Sequence, residues 1–238
     1  MPEVDVMAFG AHPDDIELGC GGTLIKLTDA GYSVVLVDMV RGEVGTRGTV
    51  ETRQAEAAAA ARIICAVARE NLELEDSDIH ISKESKRKVV EVVRKYRPRE
   101  VFIPYVKDRH PDHYHAGELA YEGIFLAGLT RYKTGQEIYR PPRVMYYMGW
   151  YEFEPTFVVN ITGQFERKME AIYAYSTQFK PGDASYEQTR LTSREYRWAI
   201  THRMAYYGSL IGSKYGEGFL IRGTMKVENP LEVSFSSF

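Results

Sequence analysis

VDVMAF (residues 4–9), GAHPDDIELGCGG (10–22), TLIKLTDAG (23–31) and SVVLVDM (33–39) carry the pattern that decides the fold. The first and last are short apolar runs with turn residues on both sides, as expected of parallel strands buried on both faces. Between them Leu24, Ile25 and Leu27 recur at helical spacing over residues 23–30, and Gly31 stops the helix. Together they read as a βαβ unit.

Outward from this unit the alternation continues. The alanine-rich run 51–67 predicts a helix, 71–74 a third strand, 85–96 a charged amphipathic helix stopped before Pro98, 100–103 a fourth strand and 112–129 another helix. Such strict alternation marks a doubly wound sheet. The second half is less regular and rich in tyrosine, with strands expected at 144–148, 157–161 and 216–221 and helices at 165–175 and 193–207. The expected fold is α/β: a Rossmann-like, mostly parallel sheet flanked by helices, with a smaller α/β C-terminal extension of the same single domain, 1–238.

Composition narrows the function. The chain has 238 residues, 44% hydrophobic and 26% charged, which suits a globular domain with a sizeable core. A net charge of -3 without a long block of either sign argues against a nucleic-acid groove or a polybasic membrane patch. The longest stretch free of Asp, Glu, Lys and Arg is eleven residues, 155–165, against about twenty for a membrane helix. Glu3 and Asp5 interrupt anything resembling a signal peptide, so a cytoplasmic address is expected. Cys20 and Cys65 fit neither a disulfide framework nor a four-ligand zinc knuckle, and both read as small buried apolar residues.

The loop after the first strand occupies the place of a dinucleotide-binding loop but is a different one. His12 and Leu24 stand where that fingerprint requires glycine, and its three carboxylates would repel a pyrophosphate. Asp38 imitates the ribose-binding acid by coincidence. His12 and Asp15, separated by Pro13 and Asp14, can instead present an imidazole nitrogen and a carboxylate oxygen to one metal ion. The fourth strand ends in KDRHPDHYH (107–115), with three of the chain's six histidines. Right-handed crossovers place the first and fourth strands side by side at the switch point, so both loops should face one pocket. Two histidines and a carboxylate would leave coordination positions open, unlike a closed structural zinc site. The same triad also suits a non-haem Fe(II) oxygenase, although the parallel α/β pattern fits that poorly.

AHPDDIELGCGG (11–22) with the later HPDH (110–113) resembles the LmbE/PIG-L family of metal-dependent N-acetylglucosaminyl deacetylases. RGEVGTRGT (41–49), Arg53 and YYGSLIGSKYGEGF (206–219) extend the likeness and look most like the bacillithiol-biosynthesis deacetylases, which act on N-acetylglucosaminyl malate. One departure is Ile16, which intervenes before Glu17 where the commoner form has an acid directly after the second Asp. The resemblance implies one divalent metal, zinc before ferrous iron, on His12, Asp15 and His113, with Asp14 as general base. It implies His110 as a second catalytic histidine oriented by Asp112, Tyr196 at the oxyanion, and Arg53 and Asp76 on the sugar. Arg47, Arg53 and Arg109 are the candidates for the malate. The expected partner is a small acetylated amino sugar, with diacetylchitobiose the alternative, and the expected assembly is a homo-oligomer such as a hexamer. A non-catalytic dinucleotide-binding module is the remaining rival.

Overall fold

The computed structural model describes residues 3–182 and 185–235. One seven-stranded sheet runs through it in the order β3-β2-β1-β4-β5-β7-β6. Strands β1 (Val4–Gly10), β2 (Val34–Val40), β3 (Ala68–Leu74), β4 (Pro98–Pro104) and β5 (Arg143–Tyr147) are parallel. Strands β6 (Phe157–Asn160) and β7 (Gly216–Leu220) extend the sheet antiparallel beyond β5. The sheet is therefore the mixed, mostly parallel one that the alternation implied.

Alternate residues of the central strands feed two cores. Met7, Phe9, Val35 and Val37 pack on one face with Val89 and Val93 of α3 (Lys83–Tyr96) and Leu119 of α4 (Pro111–Ala127). Val6, Ala8 and Leu36 pack on the other with Leu24 of α1 (Asp15–Asp29) and Ile64 of α2 (Val50–Ile64). This period of two, with both faces covered, is why these strands are uniformly apolar. The second half adds α5 (Phe165–Tyr173), the short α6 (Ser176–Phe179), a 3-10 turn at Arg190–Thr192 and α7 (Arg194–Ser209). Their core joins Met169, Ile172 and Met204 to Ala57 and Ala60 of α2.

Three local expectations need correction. Helix α1 begins at Asp15 rather than Thr23, because the glycines there serve close packing: a Cβ on Gly19 would lie 2.1 Å from the Tyr147 ring. Cys65 is exposed, in the left-handed conformation that ends α2, whereas Cys20 is buried. Strand β3 starts at Ala68, three residues before the apolar reading. Arg69, in the part of the strand that reading left out, is neutralised there: its Nε and Nη2 donate to Asp38 at 2.7 and 2.8 Å and its Nη1 to Glu17 at 2.5 Å. Asp38 is thus half of a buried ion pair.

Removing one partner of such a pair leaves charge uncompensated, at roughly 3 to 5 kcal/mol. Arg69→Ala should lower the stability measured by urea unfolding by about that amount; a loss under about 1 kcal/mol would mean that Asp38 and Glu17 find other partners.

Candidate active site

Strands β1 and β4 pair from Val4↔Pro98 to Ala8↔Phe102, so the loops that follow them emerge together at the carboxyl edge of the sheet. The other neighbour of β1 is β2, and that of β4 is β5. The crevice lies where the winding reverses, the usual place for a ligand in such sheets.

The first loop turns sharply into α1. Asp14 has φ of 125°, which non-glycine residues rarely adopt. The conformation is held from several sides. His12 N–H donates to Asp15 Oδ2 at 2.8 Å, Leu18 N–H to the Asp14 carbonyl at 3.0 Å, and Arg53 Nη2 to the Pro13 carbonyl at 2.6 Å. In the second loop His110 caps α4: its Nδ1 accepts the Asp112 N–H at 3.2 Å, and Pro111 takes the first helical position, where no N–H is needed. The next turn then directs His113 back toward the first loop.

His12 Nδ1 lies 3.4 Å from Asp15 Oδ2, and His113 Nε2 lies 3.3 Å from Asp15 Oδ1. Ligand atoms bonded to one zinc at about 2.0 to 2.1 Å are separated by roughly 3.3 to 3.4 Å in a tetrahedron; each histidine lies at that distance from one Asp15 oxygen, and the three donors lie within 4.8 Å of one another. Each imidazole is also held from behind. His12 Nε2 meets Asp76 Oδ1 and Asp112 Oδ2, both at 3.2 Å, and His113 Nδ1 meets Asp108 Oδ1 at 3.2 Å. A carboxylate behind a ring fixes its tautomer and leaves the front lone pair free for a cation. The donor set therefore suits a divalent metal with open positions.

The carboxylates around the crevice favour positive charge on both imidazoles, a charge that a bound cation would supply in place of the protons. Burial works against charge on His12, yet its bonds to Asp112, Asp15 and Asp76 raise it well above the ordinary imidazole range. Burial likewise opposes charge on His113, but Asp15 and Asp108 raise it. Asp15 moves the other way: burial would raise its carboxyl, and His113 and His12 overcome that and lower it. Burial pushes Asp14 up to about 7, against the opposing pull of Arg53, whose Nη2 is 3.9 Å away. A cation in the crevice would draw that carboxyl down again.

The crevice opens into a cavity of about 630 Å³, and every expected site residue except Arg47 and Asp112 lines it. Arg47 is buried behind the wall, where its Nη2 donates to the Lys180 carbonyl at 3.2 Å and its guanidinium lies over the Tyr186 ring. It is not placed to meet a ligand in this cavity. Arg53 is buried and braces the Asp14 turn instead of pairing with Glu51 or Glu56 on the helix surface. Tyr196 lines the cavity beside Trp150, with ring centroids 5.4 Å apart.

The expected orientation of His110 by Asp112 takes another form. The Asp112 carboxylate meets His12 and accepts the Ser77 and Ile79 N–H groups at 2.8 and 3.5 Å, so it orients the first loop. Among the described residues the His110 ring receives the backbone N–H of Asp112 at Nδ1, which requires an unprotonated Nδ1 and places the proton on Nε2. Burial, His12 and His113 lower its pKa. His110 is therefore a neutral donor rather than a standing cation.

Asp108 escaped the sequence reading although it stands in the same histidine-rich run. It accepts the His110 N–H at 2.9 Å and the Trp150 N–H at 2.6 Å while holding His113. Gly149 permits this: a Cβ there would lie 2.3 Å from Asp108 Oδ2. Asp108→Ala should weaken metal affinity by about 10- to 100-fold in a competitive chelator titration, as removal of a carboxylate behind a ligating histidine does elsewhere. An unaltered affinity would show that the backbone alone orients His113.

Comparison with known proteins follows the same line. A family profile described as GlcNAc-PI de-N-acetylase matches residues 7–124, which contain both loops. The diacetylchitobiose deacetylase of Thermococcus kodakarensis is 31% identical over 225 residues, covering 90% of this chain and 81% of that one. A conserved protein of Thermus thermophilus superposes with a TM-score of 0.84 at 34% identity, over 99% of this chain and 98% of that one. The N,N'-diacetylchitobiose deacetylase of Pyrococcus horikoshii superposes with a TM-score of 0.81 at 28% identity, over 91% and 83%. The chain belongs to the PIG-L (LmbE-like) family of deacetylases.

Proposed function

We propose that this protein hydrolyses the acetamide of an N-acetylglucosamine conjugate, using one divalent metal held by His12, Asp15 and His113. The observation that carries the reading is the convergence of these three donors with the buried carboxyl of Asp14 at the floor of one open cavity. Two imidazoles and one carboxylate favour zinc, with ferrous iron the alternative. Bound there, such an ion supplies acidification of water and polarisation of the amide carbonyl.

The chain's own groups supply the rest. Asp14 takes a proton from the attacking water as the water oxygen bonds to the carbonyl carbon. Arg53, through Pro13, keeps that carboxyl in place. His110 donates its Nε2–H, and Tyr196 its hydroxyl, to the developing oxyanion. As the C–N bond breaks, Asp14 returns its proton to the departing nitrogen, leaving acetic acid and an amine, and transfer of the acid's proton to the amine gives acetate and ammonium.

N-acetylglucosaminyl malate is the substrate we favour. The likeness of residues 41–49 and 206–219 to the bacillithiol-biosynthesis enzymes supports it, as does the presence of cavity arginines that could receive a malate. The two relatives described as diacetylchitobiose deacetylases support diacetylchitobiose as a second reading. Amine release measured over N-acetylglucosaminyl malate, diacetylchitobiose and N-acetylglucosamine separates them. We expect the malate conjugate to be turned over with the highest kcat/KM, because remote binding positions the amide. A preference for diacetylchitobiose would keep the deacetylase chemistry and remove the malate assignment. We also propose that the chain is a single cytoplasmic domain assembled as a homo-oligomer, whose mass light scattering reads directly. Among the described residues no helix is long and apolar enough to cross a membrane.

A further inference from the structure

At the rim of the cavity two arginines from distant parts of the chain meet one indole. Arg109, in the loop after β4, holds its guanidinium carbon 3.8 Å from the Trp150 ring centroid. Arg190, in the turn before α7, holds its own 4.8 Å from the same centroid. All three side chains line the cavity that contains Asp14 and His113.

The rim is tied to the site from several directions. The Trp150 backbone N–H donates to Asp108, the carboxylate behind His113, and Arg203 of α7 donates to the Trp150 backbone carbonyl at 3.2 Å. The turn bearing Arg190 is closed by the Thr192 hydroxyl, which donates to the Thr189 carbonyl at 2.8 Å, and by the Thr189 N–H, which donates to that hydroxyl at 3.2 Å. Ser193 then caps α7 by accepting the Tyr196 N–H at 3.1 Å. The charge on Arg190 is thereby held in register with Tyr196 and with the floor of the cavity.

Charge is unevenly distributed between floor and rim. On the floor Asp15, Asp76 and Asp108 face histidines, and Asp14 faces Arg53. At the rim, among the described residues, neither Arg109 nor Arg190 has a carboxylate within ion-pair distance. Two like charges held against one ring repel each other, and the attraction of each to the indole does not remove that repulsion. An anion lying along the ring would satisfy both, because each guanidinium can take a carboxylate through two parallel N–H bonds.

We propose that Arg190 and Arg109, both held against Trp150, are the specificity determinants that receive a dicarboxylate borne on the sugar of the amide substrate. The proposal deepens the amide-hydrolysis reading and rests on it. It assigns to Arg190 a role that the motif loops do not reach, and it moves the anion site from buried Arg47 to the open rim.

The test compares N-acetylglucosaminyl malate with its dimethyl ester, which has the same skeleton and no charge, in the metal-loaded wild-type protein, Arg190→Ala, Arg190→Lys and Arg109→Ala. The wild-type protein should prefer the diacid in kcat/KM. Arg190→Ala should reduce that preference about tenfold, mainly through KM, with partial recovery in Arg190→Lys, because lysine keeps the charge without the fork. An unaltered preference in Arg190→Ala, or equal use of diacid and ester by the wild-type protein, overturns the proposal while leaving amide hydrolysis intact. If neither amide is hydrolysed, the hydrolysis reading has failed, and calorimetry with glucosaminyl malate still reads the rim. Binding about tenfold weaker in Arg190→Ala upholds the anion site, and equal binding overturns it.

Discussion

His113→Ala should yield a folded protein that holds less than stoichiometric metal and has no measurable turnover. The ring provides the Nε2 facing Asp15 at 3.3 Å, and alanine removes that donor from the group formed with His12 and Asp15. Three protein ligands are already the minimum of a catalytic site, so loss of one costs affinity and electrophilic activation together. Metal content by mass spectrometry after dialysis, measured beside the amine-release rate, checks both. Near-stoichiometric metal in the variant would reject this ligand set and shift attention to His12, His110 and Asp112, the other group of donors that converges here. The fold should persist, since His113 is half-buried in the site and not part of either sheet core.

Asp14→Asn should keep its metal and lose turnover by about 10² to 10⁴, the range for removal of a general base. The amide has the size of the carboxylate and cannot take a proton from water. The proposed ligand set of His12, Asp15 and His113 does not include Asp14, whose carboxylate lies 3.9 Å from the Arg53 guanidinium. Retained turnover would reject Asp14 as the base. Loss of metal along with turnover would instead make Asp14 part of the ligand set, so measuring content and rate on one preparation distinguishes the two outcomes.

The residues that announce the fold and those that announce the chemistry lie in short continuous stretches. Apolar runs at 4–9 and 33–39 encode strands because a strand buried on both faces needs no polar neighbour, and the helix between them shows in spacing alone. His12, Asp14, Asp15, His110 and His113 stand out because the two loops carry unusual residues in tight order at strand ends, while the roles proposed for them come from the family resemblance. Their meeting followed from topology, since the crossovers bring β1 and β4 together.

What only the tertiary structure decided are the pairings between residues far apart along the chain. Asp112 turns to His12 rather than His110, and Asp108, inconspicuous in its run of charged residues, sits behind His113. Arg69 becomes a strand residue once Asp38 and Glu17 surround it, and α1 starts at Asp15 because Tyr147 needs the space that Gly19 leaves. Arg47 is buried away from the cavity, while Arg190 reaches its rim from the opposite end of the sequence. Periodicity describes how one segment meets solvent and core. A buried charge, however, is tolerated only beside its partner, and that partner is supplied by packing.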